Sequence, residues 1–205
     1  VIPVVSALAH AGVAVSVDTM RAATAVAAVE AGATIVNDVS GGRADPDMAA
    51  AMAGLDADYV CMHWRAHSDR MDAADVYADV VADVRDELAT RVEALVAAGV
   101  DERRIILDPG LGFAKVGESN WPLLANIPAW AGDRRVLIGA SRKRFLGAAI
   151  GRPDAVPSER EAATTAVTAL AAASGVWAVR VHEVTAACDA IAIVSAWKSA
   201  TYGPG

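Results

Sequence analysis

Six times in this chain a short, mostly β-branched run stops at a polar or charged residue, and an alanine-rich stretch of helical character follows. The runs end at Asp18, Asp38, His63, Asp108, Arg142 and His182. Strands alternating with helical segments build βαβ units on a parallel sheet. In a barrel of such units the catalytic groups sit where strands end, so each run-end is a candidate active-site position.

Strands are expected at residues 13–17, 34–37, 59–62, 104–107, 136–139 and 176–181. Each reads apolar on both faces, as in a closed or fully covered sheet. Helices are expected at residues 21–31, 75–98 and 185–197. A further helix opens at Asp45-Pro46, with Asp at the N-cap and Pro at the first helical position. Ser158-Glu159-Arg160-Glu161 has capping-box spacing and starts a helix that closes near Gly175. Residues 1–10 resemble the end of a helix stopped by Gly12. Six units in 205 residues is roughly 34 residues per unit, and two more would reach the ~250-residue scale of an eight-stranded barrel. The expectation is a TIM (β/α)8 barrel that lacks its first two βα units, with residues 1–205 as a single domain.

Composition narrows the function. Eighteen basic against 25 acidic residues leave a net charge of −7, which argues against nucleic acid or an anionic membrane surface as partner. Only two cysteines, Cys61 and Cys188, argue against a disulfide framework and fit a reducing cytoplasm. The longest uncharged stretches, residues 1–17 and 162–179, carry Pro, Gly, Ser or Thr and divide into helix, turn and strand, so no membrane span is expected.

The strand ends carry recognisable chemistry. Asp18, Asp38 and Asp108 follow strands, with Asn37 beside one of them. A carboxylate and an amide placed this way can grip a flat heterocycle with adjacent N–H donors, such as a 2-amino-4-oxo-pyrimidine edge. The plainer alternative is that these aspartates only cap the helices that follow; it is the stronger for Asp38 and stays open for Asp18 and Asp108. An anion site is suggested by Ser141-Arg142-Lys143-Arg144 and Arg180-Val181-His182, in the loops after the last two strands, where barrel enzymes often bind phosphate. Arg180 and His182 alternate, so both point to one face, and Lys143 would reach the substrate as a point charge. Gly110 and Gly112 would let backbone approach a ligand with Phe113 as a wall, or would simply form a tight turn. His63 and His67 stand four apart without a convincing third ligand, which argues against zinc. Cys61 and Met62 read as core, although Met62 would also suit a pocket floor.

Taken in order, Val15-Ser16-Val17-Asp18-Thr19, Asn37-Asp38-Val39-Ser40-Gly41-Gly42, Met62-His63, Asp108-Pro109-Gly110-Leu111-Gly112-Phe113, Ser141-Arg142-Lys143-Arg144-Phe145 and Arg180-Val181-His182 form a series that closely resembles dihydropteroate synthase, the folate-pathway family targeted by sulfonamides. The resemblance implies an eight-stranded barrel that joins a dihydropterin-methyl pyrophosphate to p-aminobenzoate and releases pyrophosphate. By position, Asp18, Asn37 and Asp108 would hold the pterin, and Met62 and Phe113 would line its pocket. Lys143 would contact the pterin and border the p-aminobenzoate site. Arg180 would cover the ring and, with His182, hold the pyrophosphate. Asp18, Lys143 and Arg180 would be the residues that carry catalysis. The resemblance also implies Mg2+ at the leaving group, pyrophosphate departure before amine attack, and a homodimer. It places the family's metal-side Asn, and two loops that enclose p-aminobenzoate, upstream of Val1. After Lys115 the chain has Val116 and Ser119 where the family tends to have Thr and His. Two other classes compete: a pterin-binding paralogue that turns nothing over, and a pterin-dependent methyltransferase domain, which has no need of the basic clusters.

Overall fold

The computed structural model describes residues 1–65, 76–115 and 117–201. His67, the expected helix start at Asp75, and Val116 lie outside the described residues. All six expected strands are present, and the first, fifth and sixth are shorter than the apolar runs that suggested them. They are β1 (Ser16–Asp18), β2 (Ile35–Asp38), β3 (Asp58–Met62), β4 (Ile105–Asp108), β5 (Leu137–Ile138) and β6 (Ala178–Val179). Strands β1 to β4 pair in chain order, every pair parallel. A parallel bridge from Leu107 to Val136 carries the ladder from β4 to β5, which pairs with β6. The order never reverses, so there is no doubly wound switch point, and the winding is that of a barrel wall.

The two faces of this wall differ. Val36, Tyr59, Cys61, Ile105, Leu107 and Ile138 join one large core with helix residues such as Val84, Leu88 and Leu95. Val60, Ile106 and Leu137 form a separate small cluster, with Ile35 and Ala178 against it. Alternation along the strands puts the first set outward, under the helices, and the second inward.

The outer layer is α1 (Ile2–His10), α2 (Ala22–Glu30), α3 (Met48–Ala53), α4 (Val80–Ala97), α5 (Trp121–Ala125), α6 (Ile127–Ala131), α7 (Arg144–Ala149), α8 (Glu161–Ala173) and α9 (Val184–Thr201). The α4 helix starts where the Asp79 carboxylate accepts the backbone N–H groups of Val81 and Ala82, at 2.9 and 3.2 Å. It buries Val84, Leu88, Arg91, Val92 and Leu95, one face at helical spacing. Full burial of a side chain such as Leu88 contributes about 1.5–3 kcal/mol.

Two expected helix starts are corrected. The third helix begins at Met48, and Asp45 instead reaches back to accept the N–H of Ala22 at 2.8 Å, capping α2. At the eighth, the capping residue is Glu159, whose carboxylate accepts the N–H of Val156 at 3.0 Å, one turn before α8. A short 3-10 turn from Pro157 to Arg160 intervenes, because Pro157 fixes the backbone at that entry. Among the described residues no helix is long and apolar enough to cross a membrane.

Candidate active site at the strand ends

One step beyond the inner apolar cluster, each strand changes character. Following Ile35, Val60, Ile106, Leu137 and Ala178 by two residues gives Asn37, Met62, Asp108, Gly139 and Arg180. A strand alternates with period two, so these positions face inward at its C-terminal end. Asp18 joins them from β1, paired in register with Asn37. The inside of the wall is thus apolar below and polar above.

Asn37 donates through Nδ2 to Asp18 Oδ2 at 2.7 Å. The Asn37 side chain is buried while Asp18 stays exposed, so the pair presents a carboxylate on a fixed support. Asp108 is buried, and its Oδ1 accepts the N–H of Gly110 at 2.7 Å. Burial pushes its pKa up, opposed by the charges of Lys143, Arg180 and Lys115. Gly139 leaves the space between them: a Cβ there would lie 3.2 Å from Arg180 Nη2 and 3.6 Å from Asp108 Oδ2. Met62 is fully buried, behind the loop at Gly110.

Beside this layer lies a cavity of about 230 Å³, lined by Phe113, Gly139, Ser141, Lys143, Arg180, Val181 and His182. Lys143 donates to the carbonyl of Leu111, and its Nζ lies 4.5 Å from the centre of the Phe113 ring. Burial brings its pKa down to about 8, against the attraction of Asp108 and with repulsion from Arg180. His182 Nδ1 and Ser141 Oγ are 2.8 Å apart. Arg180 and His182 therefore do share one face with the Ser141–Lys143 turn. That turn is held from α8: Arg142 has a left-handed backbone (φ 60°), pairs with Glu161, and donates its N–H to Thr164 Oγ1 at 3.1 Å.

The remaining run-ends are structural. Asp38 is fully buried and caps no helix. Its carboxylate accepts from Ser40 N (2.8 Å), Ser40 Oγ (2.7 Å), Gly42 N (2.9 Å) and Tyr59 Oη (2.7 Å), which pins the loop after β2. Cys61 is buried, and burial pushes its thiol up to about 12, so it is inert core. His63 is buried with both ring nitrogens engaged, Nε2 to Glu87 at 3.0 Å and Nδ1 to Lys115 at 2.9 Å.

Sequence reasoning missed several residues that shape the site. Gly139 could have been found by counting two on from the inward Leu137. Asn120 is buried and braces the Gly-rich loop, accepting from Gly112 N at 2.7 Å and donating to Lys115 O at 3.2 Å. Lys115 and Glu87 enter through packing of the β3 and β4 loops on α4. No spacing in the chain announces Asn120, Lys115 or Glu87.

The model of the family described as "Pterin binding enzyme" matches residues 1–182. A dihydropteroate synthase of Mycobacterium leprae is 51% identical over 202 residues, covering 96% of this chain and 71% of that protein. The Burkholderia cenocepacia dihydropteroate synthase complexed with 7,8-dihydropteroate superposes with a TM-score of 0.91 at 40% identity, covering 98% of this chain and 74% of that one. The Xanthomonas albilineans enzyme with 4-aminobenzoic acid gives a TM-score of 0.88 at 38% identity, over 100% and 71%.

Proposed function

Because the chain belongs to the pterin-binding enzyme family and shares half its residues with a dihydropteroate synthase, we propose that it carries the site at which a dihydropterin-methyl pyrophosphate condenses with p-aminobenzoate, giving dihydropteroate and pyrophosphate. In this reading the six strands are strands three to eight of an eight-stranded barrel. The observation that carries it is the polar layer Asp18, Asn37, Asp108 and Arg180 lying next to the basic cavity of Lys143 and His182.

Asp108 and Asn37 hold the 2-amino-4-oxo edge of the pterin, while Met62 and Phe113 border the ring. Lys143 leaves the Leu111 carbonyl to meet the pterin. Arg180 and His182 hold the pyrophosphate. As the carbon–oxygen bond to pyrophosphate breaks, positive charge develops on the pterin methylene, and the Asp18 and Asp108 carboxylates stabilise it. The leaving group takes the negative charge to Arg180, His182 and Lys143. The aryl amine then attacks the methylene carbon and loses its proton, a step that needs proximity more than activation. Among the described residues no three His, Cys, Asp or Glu side chains converge as a metal site. The described residues therefore supply no three-ligand cage, and a Mg2+ at the leaving group would add charge neutralisation there in company with the pyrophosphate itself.

The test is p-aminobenzoate-dependent release of pyrophosphate. Lys143→Ala and Arg180→Ala are each expected to reduce turnover at least tenfold, equivalent to ~1.4 kcal/mol of transition-state stabilisation. Near-normal rates in both would remove them from the site. Pterin binding without pyrophosphate release in the unmodified protein would favour a non-catalytic binding role.

The same reading includes a homodimer and a reducing cytoplasmic setting. The first is supported by apolar side chains on α8 and α9 that stand in solvent, Leu170 at 67%, Ile193 at 68% and Trp197 at 76% exposure. Both cysteines are free thiols, which supports the second. Sedimentation velocity at micromolar concentration should give twice the chain mass; a single monomer boundary would contradict the dimer.

A further inference from the structure

Behind the Gly-rich loop lies a chain of ionisable groups that the reaction above does not use. Lys115 is buried, and its Nζ lies 2.9 Å from His63 Nδ1, 3.2 Å from the Phe113 carbonyl and 3.3 Å from the Gly110 carbonyl. An ammonium has three N–H donors and here meets three acceptors. The backbone turns to bring it there: Ala114 has a left-handed φ of 49°, and the Tyr77 hydroxyl donates to the Ala114 carbonyl at 2.8 Å. A non-glycine residue holds that conformation only where its surroundings impose it.

The chain continues outward. His63 Nε2 meets Glu87 Oε2 at 3.0 Å, and Arg65 Nε donates to the other oxygen of Glu87 at 3.0 Å. Burial holds the His63 pKa down to about 3, so the ring is neutral, accepting at Nδ1 and donating at Nε2. Burial alone would raise Glu87, but hydrogen bonds from His63 and Arg65 bring it to about 2. The backbone N–H of His63 also donates to the Asp108 carbonyl at 2.8 Å. The loop at residues 110–113 is thus gripped twice, by Lys115 from within and by Lys143 from the rim. Only Lys143 is free to turn toward substrate, since Lys115 is enclosed. Gly110 is what allows the inner grip, because a Cβ there would collide with the His63 carbonyl.

We propose that Lys115 is a positioning residue: it ties the loop carrying Asp108 and Phe113 to His63 and Glu87, so that both meet the pterin in place while Lys143 moves. This rests on the reading of the site given above. A second consequence concerns charge. Burial lowers the Lys115 pKa to about 7, with Asp108 attracting its proton and Lys143, Arg65 and Arg91 repelling it. Asp108 in turn faces Lys143, Arg180 and Lys115. Removing the Lys115 charge leaves Asp108 harder to ionise, so pterin binding that needs the carboxylate should fail at a higher pH on the acid side.

The experiment is calorimetric titration of 6-hydroxymethyl-7,8-dihydropterin into the protein and its variants from about pH 5 to 9, with thermal unfolding recorded alongside. Lys115→Met is expected to weaken pterin binding at least tenfold at pH 7 and to move the acid limb upward by at least about half a unit. A merely structural role would lower the unfolding temperature and leave that limb in place. Glu87→Gln, at the outer end of the chain, should weaken binding at least threefold and carries the test if Lys115→Met does not fold. If the unmodified protein does not bind the pterin, the reading of the site fails. If it binds and the folded variants bind equally well with an unmoved limb, only the positioning role is overturned.

Discussion

Asp108→Asn should lower affinity for the dihydropterin at least about 100-fold, or ~2.7 kcal/mol, and leave the fold at least as stable. The carboxylate is proposed to accept two adjacent N–H groups, each a charge-assisted bond of about 1.5–3 kcal/mol. An amide offers one oxygen and opposes the second donor with its own NH2. The Gly110 N–H can keep its bond to the remaining oxygen, so the loop need not change. Stability should move the other way. Burial raises the folded-state pKa of Asp108, so its ionised form costs stability at neutral pH and the neutral amide removes that cost. Isothermal titration with a pterin and thermal unfolding of the same sample check both halves. Binding within threefold of the parent would take Asp108 out of the pterin site.

Asp38→Ala should have the opposite profile, a stability loss of about 3–5 kcal/mol with no direct role in chemistry. Its carboxylate satisfies two backbone N–H groups, the Ser40 hydroxyl and the Tyr59 hydroxyl in a fully buried setting. Truncation strands these donors where water cannot replace the partner, and each buried orphan costs roughly 1–3 kcal/mol. A domain whose total stability is about 5–15 kcal/mol would lose a large share of it. Urea denaturation measures this directly, and a change under about 1 kcal/mol would mean that water or a shifted loop supplies the donors.

The contrast between these two aspartates shows where reading along the chain runs out. Both end a strand run in similar local sequence, Asn37-Asp38 and Leu107-Asp108. Which faces the barrel interior depends on the phase of alternation: Asn37 and Asp108 fall on the inward set, and Asp38 on the outward one, beneath Tyr59. The phase was readable in principle from the apolar cluster of Val60, Ile106 and Leu137, but that cluster exists only once the strands are registered. The helix starts expected at Asp45 and Ser158 differ from those observed, at Met48 and Glu161, because capping depends on contacts a short motif does not contain. A cap motif reads only its own segment, whereas Asp45 accepts the N–H of Ala22, 23 residues earlier in the chain. The two basic segments expected to form an anion site, Ser141 to Lys143 and Arg180 to His182, do come together, because they lie at the ends of strands that pair with each other.

By itself, the order of strand runs and polar stops determined a parallel βα wall, since short runs apolar on both faces and separated by helical segments have few other ways to bury both faces. The motif series determined the family. What only the tertiary structure decided is which polar groups share a surface. The glycine at 139 makes room for Arg180 beside Asp108, and Lys115 is turned inward by Ala114 onto a histidine 52 residues away. Such contacts depend on loop conformation and on crossings between elements distant in sequence. They are set by packing and by the need to satisfy buried donors, and no local pattern encodes them.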